Sequence, residues 1–173
     1  MHPEAQEYYN IASWLKDKVH YHSISKRIAI KRAQVNHGEI WYCDLGYNVG
    51  AEKNKCRPVL VISNNKINNS GKVVVLCITE AKGKLNARNL PSQDSWFLLY
   101  CTTTDDDKKI FPGRPIPPKM TSYSFLDKDS VVQCEEIKAV SKARLDMTRG
   151  PIGILTPTDF QLIKQKFRRA YNL

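Results

Sequence analysis

Cysteine and histidine side chains often carry catalysis or bind metals, but their positions here support neither a zinc site nor a two-histidine mechanism. The five cysteines are widely spaced and include no C-x-x-C pair: Cys43, Cys56, Cys77, Cys101 and Cys134. The four histidines all precede the β-rich part of the chain: His2, His20, His22 and His37. No P-loop, glycine-rich dinucleotide turn, H-E-x-x-H or G-x-S-x-G motif is present. We therefore expect reduced thiols, no metal site and no cofactor.

The charge balance points to a polyanionic partner. The 173 residues carry a formal net charge of +10 at pH 7, and the pI is about 9.4. Excess positive charge speeds the capture of polyanions, so nucleic acid or an acidic protein is the natural partner. The alternative is a basic protein whose charge only aids solubility. No apolar run approaches the length of a membrane span and the N-terminus lacks the layout of a signal peptide, so we expect a soluble, cytoplasmic protein.

Residues 1–35 are predicted to form an N-terminal helical extension to a main domain over 36–173. Four apolar residues recur at spacings of three and four and share one helix face: Tyr8, Ile11, Leu15 and Val19. Ser23 and Ser25 weaken the helix, so a break is expected there. We expect this apolar stripe to be covered by the main domain, by a dimer mate or by another protein.

After His37 the pattern changes to short β-rich runs separated by turn residues. Strands are predicted at 39–43, 57–62, 72–79, 96–101, and 131–133 with 137–140. This spacing favours a barrel or sandwich over a parallel α/β sheet. A C-terminal helix follows, with Thr156 as its cap and Pro157 in its first turn. Two loops are long: 45–56, a candidate binding lip, and 102–122, an exposed acidic and proline-rich insertion.

Ordered motifs in the β-rich region carry a resemblance. The first part reads Gly38-Glu39-Ile40-Trp41, Asp44-Leu45-Gly46, Gly50-x-Glu52 and Arg57-Pro58-Val59-Leu60-Val61-Ile62. The second part reads Ile78-Thr79, Tyr123-x-Phe125, Asp129-Ser130-Val131, Glu135-Glu136-Ile137-Lys138 and Lys142-x-Arg144-Leu145. In this order, over about residues 36–146, the motifs resemble the MazF/PemK toxins of type II toxin–antitoxin systems.

The resemblance implies a mainly β fold with helices: an SH3-like β-barrel of the MazF/CcdB type, assembled as a homodimer. It also implies metal-independent cleavage of single-stranded RNA, in which the ribose 2′-OH attacks the phosphate and leaves a 2′,3′-cyclic phosphate. A cognate antitoxin protein would control this activity by covering the RNA groove. Family members often carry other residue types at or near Ser63, Glu80 and Glu136, so the cleavage sequence does not transfer to this chain.

The family's two catalytic positions fall on Arg57 and Thr79. Cleavage of this kind develops extra negative charge on the phosphorane oxygens, and a guanidinium can bond two of them at once. Arginine is a poor general base because of its high pKa, so Arg57 is expected to stabilise this charge, with proton donation to the leaving group as a second role. Thr79 would bond the phosphate or orient the 2′-OH. In the alternative interpretation, Arg57 is a strand-end arginine that forms an ion pair with Glu52 or Asp44. Thr79 is then only a residue that favours β structure at the end of a strand.

Residues that flank these two positions in sequence are candidates for RNA binding. The predicted substrate-binding residues are Tyr47, Glu52, Lys53, Lys55, Lys82, Lys84 and Glu136. The lysines, with Arg88, would follow the phosphate backbone. Tyr47 and Trp41 would stack on bases, although a tryptophan in a strand more often lies in the core. Glu52 would shape its loop or position Arg57, or be a solvated charge.

Two non-catalytic functions compete with the nuclease. One is an interaction module on the same barrel, like the gyrase-poisoning CcdB toxins, and the other is an RNA-binding relative that leaves RNA intact. The presence of both Arg57 and Thr79 favours the enzyme, because a protein-binding module has no need of that pair.

Overall fold

The computed structural model describes residues 3–88, 90–102 and 121–173, which contain four α-helices and seven strands. The helices are α1 (Pro3–Ser25), α2 (Ile28–Arg32), α3 (Asn65–Asn68) and α4 (Pro157–Ala170). The strands are β1 (Glu39–Asp44), β2 (Cys56–Val61), β3 (Lys72–Glu80), β4 (Trp96–Cys101), β5 (Ser122–Tyr123), β6 (Ser130–Ser141) and β7 (Gly153–Ile154). No helix in these residues is both long and apolar enough to cross a membrane. The predicted insertion at 102–122 lies outside the described residues, apart from its ends.

Strands occur in all five predicted regions, and the last of them is a single strand, β6. Its pairing with β3 is interrupted by a β-bulge: Leu76 pairs with Ile137, whereas the next residue, Cys77, pairs with Gln133. The gap in the sequence pattern therefore marks the bulge and not a break in the strand. β5 and β7 are two residues long, too short to produce a periodic pattern.

The seven strands form one mixed sheet in the order β5-β4-β6-β3-β2-β1-β7. β4 and β5 run parallel, and the other neighbours are antiparallel. β2 and β3 are neighbours near the middle of the sheet, so residues at their adjoining ends lie side by side.

Each face of the sheet carries its own apolar cluster, because successive side chains of a strand point to opposite faces. On the first face, Leu60 and Leu76 pack in a cluster with Phe160 and Ile163 of α4. α4 begins after Thr156, whose hydroxyl accepts a hydrogen bond from an amide in the first turn. The second face has this cluster: Val35, Trp41, Cys43, Leu45, Val59, Val61, Val73, Val75, Cys77, Val140 and Leu145.

The N-terminal extension contacts the sheet through aromatic residues outside the predicted stripe. The helix is broken between α1 and α2, just after the two serines. The Tyr21 hydroxyl donates to Asp44 Oδ2 at 3.0 Å, and the Trp14 ring packs on Gly46. The four stripe residues are 43–72% exposed: Tyr8, Ile11, Leu15 and Val19. Of the three expected covers for the stripe, the main domain is therefore ruled out, because α1 contacts it through the rings of Trp14 and Tyr21 on another helix face. A dimer mate or another protein stays a prediction.

A buried ammonium anchors the end of the extension. Lys142 is 1% exposed, and its Nζ donates to the main-chain oxygens of Lys31 (3.1 Å) and Ala33 (2.6 Å). Burial lowers the pKa of Lys142, since a low-dielectric environment disfavours the charged form. The two carbonyls compensate for part of that cost and hold the C-terminal end of α2 against the sheet domain.

Candidate functional site

Arg57 and Thr79 lie on the second face, at the adjoining ends of β2 and β3. In the antiparallel ladder Val59 pairs with Cys77, and both belong to the apolar cluster of that face. The paired stretch of these two strands ends at Val59 and Cys77. Continued for two more residues along each strand, the same register would set Arg57 opposite Thr79, with both side chains on the same face. The Cβ atoms of opposed residues in such a ladder are about 4.5–5.5 Å apart. The order of the strands and their register therefore place a guanidinium and a hydroxyl at neighbouring strand ends on one face of the sheet.

The Arg57 guanidinium is half-buried and is held from one side. Its Nε donates to the main-chain oxygen of Asn54 at 2.9 Å. Glu52 and Asp44 are engaged with other side chains, so the alternative in which either of them pairs with Arg57 is wrong. Within the described part of the chain the terminal nitrogens of Arg57 make no hydrogen bond, which leaves them available for two oxygens of one phosphate.

Two ion pairs connect the β1–β2 loop to β6 across this face. Lys138 Nζ lies 3.3 Å from Glu52 Oε2, and Lys53 Nζ lies 4.0 Å from Glu136 Oε1. Surface pairs of this kind contribute about 0–1 kcal/mol each. A phosphate can therefore replace either carboxylate at small cost. Lys53 and Lys138 can thus join the loop to β6 or bind a substrate.

Cys77 lies among these charges. Burial raises the pKa of its thiol to about 11; Glu136 adds to the rise, whereas Lys138, Arg57 and Lys53 oppose it. The thiol stays protonated at neutral pH and acts as a small apolar group. The three cations around it form an electropositive group on the second face, with Glu136 among them.

Tyr47 and Lys55 lie on another side of the β1–β2 loop. The Tyr47 hydroxyl donates to Glu7 Oε1 of α1 at 3.0 Å. Tyr47 and Lys55 line a cleft of about 270 Å³ against α1, together with Trp14. The side chain of Asn48 closes the loop by donating to two of its main-chain carbonyls, at 2.6 and 3.0 Å. The structure thus groups Tyr47 and Lys55 with α1 and groups Glu52 and Lys53 with β6.

The remaining residues singled out in the sequence are dispersed. Lys82 and Lys84 follow the end of β3, and Arg88 is exposed further along the same segment. Trp41 is 4% exposed in the core of the second face, so the interpretation as a base-stacking residue is wrong. Ser63 is 6% exposed, and its hydroxyl accepts a hydrogen bond from the main chain of β3, so it does not face a substrate.

Two residues near the site were not identified as site residues from the sequence. Lys138 occurs in a family motif, but its pairing with Glu52 arises only because the loop folds over β6. Gln133 pairs with Cys77 in the ladder, is 4% exposed, and its Oε1 has no hydrogen-bond partner among the described residues. Strand alternation could have placed Gln133 on this face, but nothing in its sequence context distinguishes it from a structural glutamine.

The site offers a guanidinium, a hydroxyl and flanking ammonium groups. In residues 3–88, 90–102 and 121–173, no three His, Cys, Asp or Glu side chains are grouped so as to hold a metal ion. Fixed cations and donors of this kind stabilise negative charge that develops on phosphate oxygens.

Comparisons with known proteins agree with the fold. A family model described as the PemK-like, MazF-like toxin of type II toxin–antitoxin systems matches residues 36–171 and leaves α1 and α2 outside. An endoribonuclease in complex with its cognate antitoxin, from a mycobacterial species, superposes with a TM-score of 0.50 at 20% identity and covers 81% of this chain and 97% of its own. MazF from Deinococcus radiodurans superposes with a TM-score of 0.50 at 13% identity, over 82% and 99% of the two chains. Since the family model spans well over half of the chain, this protein belongs to the PemK-like, MazF-like toxins of type II toxin–antitoxin systems.

Proposed function

We propose that this protein is a toxin endoribonuclease that cleaves single-stranded RNA without a metal ion, using Arg57 and Thr79. The observation that supports the proposal is the β2–β3 register, which, continued two residues beyond Val59 and Cys77, would set the Arg57 guanidinium beside the Thr79 hydroxyl on one face. In the described residues no carboxylate neutralises that guanidinium. Family membership supports RNA as the substrate, and the net charge of +10 favours a polyanion.

The proposed reaction is an internal transfer. The 2′ oxygen of a ribose attacks the adjacent phosphorus, and the bond from phosphorus to the 5′ oxygen of the next nucleotide breaks. The products are a 2′,3′-cyclic phosphate and a 5′-hydroxyl, and the proton lost by the 2′-OH is balanced by the one that the leaving oxygen gains. The terminal nitrogens of Arg57 stabilise the charge on the non-bridging oxygens, while Thr79 bonds the phosphate or orients the 2′-OH.

Lys53 and Lys138 are the first cations that a phosphate near Arg57 would meet. Their present partners, Glu136 and Glu52, belong to weak surface pairs that RNA can replace. In the absence of RNA, Glu52 holds the β1–β2 loop over β6 through its ion pair with Lys138, and it does not orient Arg57 directly. Lys82 and Lys84, beyond the end of β3, would extend the phosphate track.

The finer features of the family complete the proposal. They are an SH3-like barrel over 36–173 with a helical extension over 1–35, a homodimer, and a cytoplasmic antitoxin partner that covers the RNA site. A solved structure of similar fold is an endoribonuclease bound to its cognate antitoxin, which supports a protein partner of this kind. Sedimentation equilibrium would test the dimer: we expect about twice the monomer mass of 19.8 kDa.

The decisive experiment incubates wild-type protein with a mixed single-stranded RNA in EDTA, beside Arg57→Ala and Thr79→Val. We expect discrete fragments with cyclic phosphate ends from the wild type. Loss of one preorganised donor to a developing anion typically slows such reactions by roughly 10²–10³-fold, and we expect that loss in each variant. Thr79→Val keeps the shape of the side chain and removes only its hydroxyl.

Conservative variants serve as controls. Thr79→Ser retains the hydroxyl and should recover most of the activity, whereas Arg57→Lys retains the charge without the two-pronged geometry and should stay impaired. Circular dichroism and melting temperatures establish that each variant is folded. If folded wild-type protein binds RNA and leaves it intact, or cleaves it only with added metal, the proposal fails. An intact RNA would favour the interaction module or the RNA-binding relative.

A further inference from the structure

α1 contacts the base of the β1–β2 loop through an aromatic residue that no sequence motif marks. The Trp14 ring lies directly against Gly46, so closely that a Cβ on Gly46 would stand 2.3 Å from it. Gly46 also has φ +82°, a backbone conformation that residues with a Cβ atom rarely adopt. The ring centroid of Tyr21 lies 6.0 Å from that of Trp14, and the Tyr21 hydroxyl bonds Asp44. Two aromatic residues of α1 therefore hold the end of β1 and the start of the loop.

The base of the loop is closed by a pair of main-chain hydrogen bonds. Leu45 N donates to Lys55 O at 3.0 Å, and Lys55 N donates to Gly46 O at 2.7 Å. Lys55 has φ +63°, so this closure holds a non-glycine residue in the left-handed region. Backbone in such a region persists only when its surroundings hold it there. Here the surroundings include Gly46 and, packed on Gly46, the ring of Trp14.

The residue next to this closure holds Arg57. Asn54 immediately precedes Lys55, and its main-chain oxygen accepts the hydrogen bond from Arg57 Nε at 2.9 Å. A continuous path of contacts therefore runs from Trp14 through Gly46, Lys55 and Asn54 to the guanidinium. A second tether, the hydrogen bond from Tyr47 to Glu7 of α1, reinforces the same loop.

We propose that α1 positions Arg57: Trp14 holds the base of the β1–β2 loop, so that the Asn54 carbonyl fixes the guanidinium in its working orientation. Trp14 is a positioning residue and does not touch the substrate. The inference rests on the proposed function, because it assigns to α1 a role in that same site. It also gives the extension, which lies outside the family match, a part in the chemistry of the family domain.

The size of the effect follows from the geometric demand of the reaction. A catalytic group displaced by about 1 Å through a distant mutation can lose about 10²-fold in rate. Trp14→Ala releases the loop base without removing any group that binds RNA. We therefore expect kcat to fall about 10- to 100-fold, with KM changed by less than about threefold.

The test compares three full-length variants on one RNA oligonucleotide. Trp14→Ala should show the loss in kcat, and Trp14→Phe should recover most of it. Leu15→Ala, on the next residue of the same helix and 61% exposed, is the matched control and should behave as the wild type. Tyr21→Phe removes only the hydroxyl that bonds Asp44 and provides a milder release of the loop if Trp14→Ala folds poorly.

A second measurement follows the structure of the loop and does not depend on activity. Hydrogen exchange of the Leu45 and Lys55 amides, and of Arg57 Nε–H by NMR, should accelerate in Trp14→Ala and stay slow in Leu15→Ala. If these exchange rates are unchanged in folded Trp14→Ala, Trp14 does not hold the base of the loop. If exchange accelerates while kcat stays at the wild-type value, the loop contact does not position Arg57 for the reaction. If the wild type cleaves no RNA, the proposed function fails by itself. The Arg57 Nε–H exchange then still decides whether α1 orients the guanidinium.

Discussion

Replacing Lys142 with methionine tests the buried ammonium that joins the extension to the sheet domain. Lys142 is 1% exposed and donates to the main-chain oxygens of Lys31 and Ala33. A hydrogen bond to a charged group contributes about 1.5–3 kcal/mol, and two such bonds are lost in this variant. Methionine fills similar space, and the variant no longer has to desolvate a charge, which offsets part of the loss. We expect the free energy of unfolding to fall by roughly 2–3 kcal/mol.

Urea titrations followed by far-UV circular dichroism and tryptophan fluorescence measure this loss. For a chain of this size, 1 kcal/mol shifts the melting temperature by about 2–4 °C, so the expected loss corresponds to a decrease of roughly 4–12 °C. Trypsin gives a local readout, because Lys26 and Arg27 are exposed between α1 and α2. Cleavage there should become faster as α2 leaves the sheet. Lys72→Met, an exposed lysine in β3, is the control and should shift stability by less than about 0.5 kcal/mol.

One result would refute this reasoning. If Lys142→Met unfolds within about 0.5 kcal/mol of the wild type and resists trypsin equally, the ammonium does not anchor the extension. A loss of stability without faster cleavage between α1 and α2 would place the role of Lys142 in the sheet domain itself.

Three further predictions concern α1 and the site. Gly46→Ala should lower the free energy of unfolding by about 1–2 kcal/mol from the positive φ at this position alone. The added Cβ should also displace Trp14, which a shift in tryptophan fluorescence would reveal. An unchanged spectrum would contradict the contact between Trp14 and Gly46. Burial and Asp44 raise the pKa of Tyr21 above its ordinary 10.0, so the unfolded chain loses this proton first. The contribution of protonated Tyr21 to the free energy of unfolding is therefore complete below pH 10 and declines above it. Between about pH 8 and pH 10.5 the urea midpoint should fall less in Tyr21→Phe than in the wild type. Lys138→Ala should lower the slope of log affinity for single-stranded RNA against log salt by about 0.7, and an unchanged slope would mean that Lys138 does not contact RNA.

Much of the sheet was predictable because its signals are local. Val73, Val74 and Val75 give β3 a strong β pattern, and β3 occupies Lys72–Glu80. The two-residue strands β5 and β7 carry no such signal, since they exist only through pairing with distant segments. The stripe on α1 has helical spacing, but spacing alone does not say which face of a helix meets the domain. That choice depended on the fit of Trp14 to Gly46, a contact between two elements.

The candidate site shows the same division. From the resemblance, the type and order of the residues predicted Arg57 and Thr79 as the catalytic pair. Lys53 and Glu136 were predicted as substrate-binding residues of the same site. The resemblance could not separate these from Tyr47, which lies with α1, or from Trp41, which lies in the core. Side-chain neighbours across a sheet depend on register and on how a loop folds back, and neither is encoded within a short window of sequence.

By itself, the sequence determined the family, the candidate site residues, the positive charge and the main strands, because each of these depends on composition, order or local periodicity. Only the tertiary structure decided that Arg57 has no carboxylate partner among the described residues, that Lys138 pairs with Glu52 of the β1–β2 loop, and that Trp14 of α1 packs on Gly46 at the base of that loop. The physical reason is that these features are contacts between segments far apart in the chain. Such contacts form only when the packing of the whole sheet and its helices sets which side chains meet.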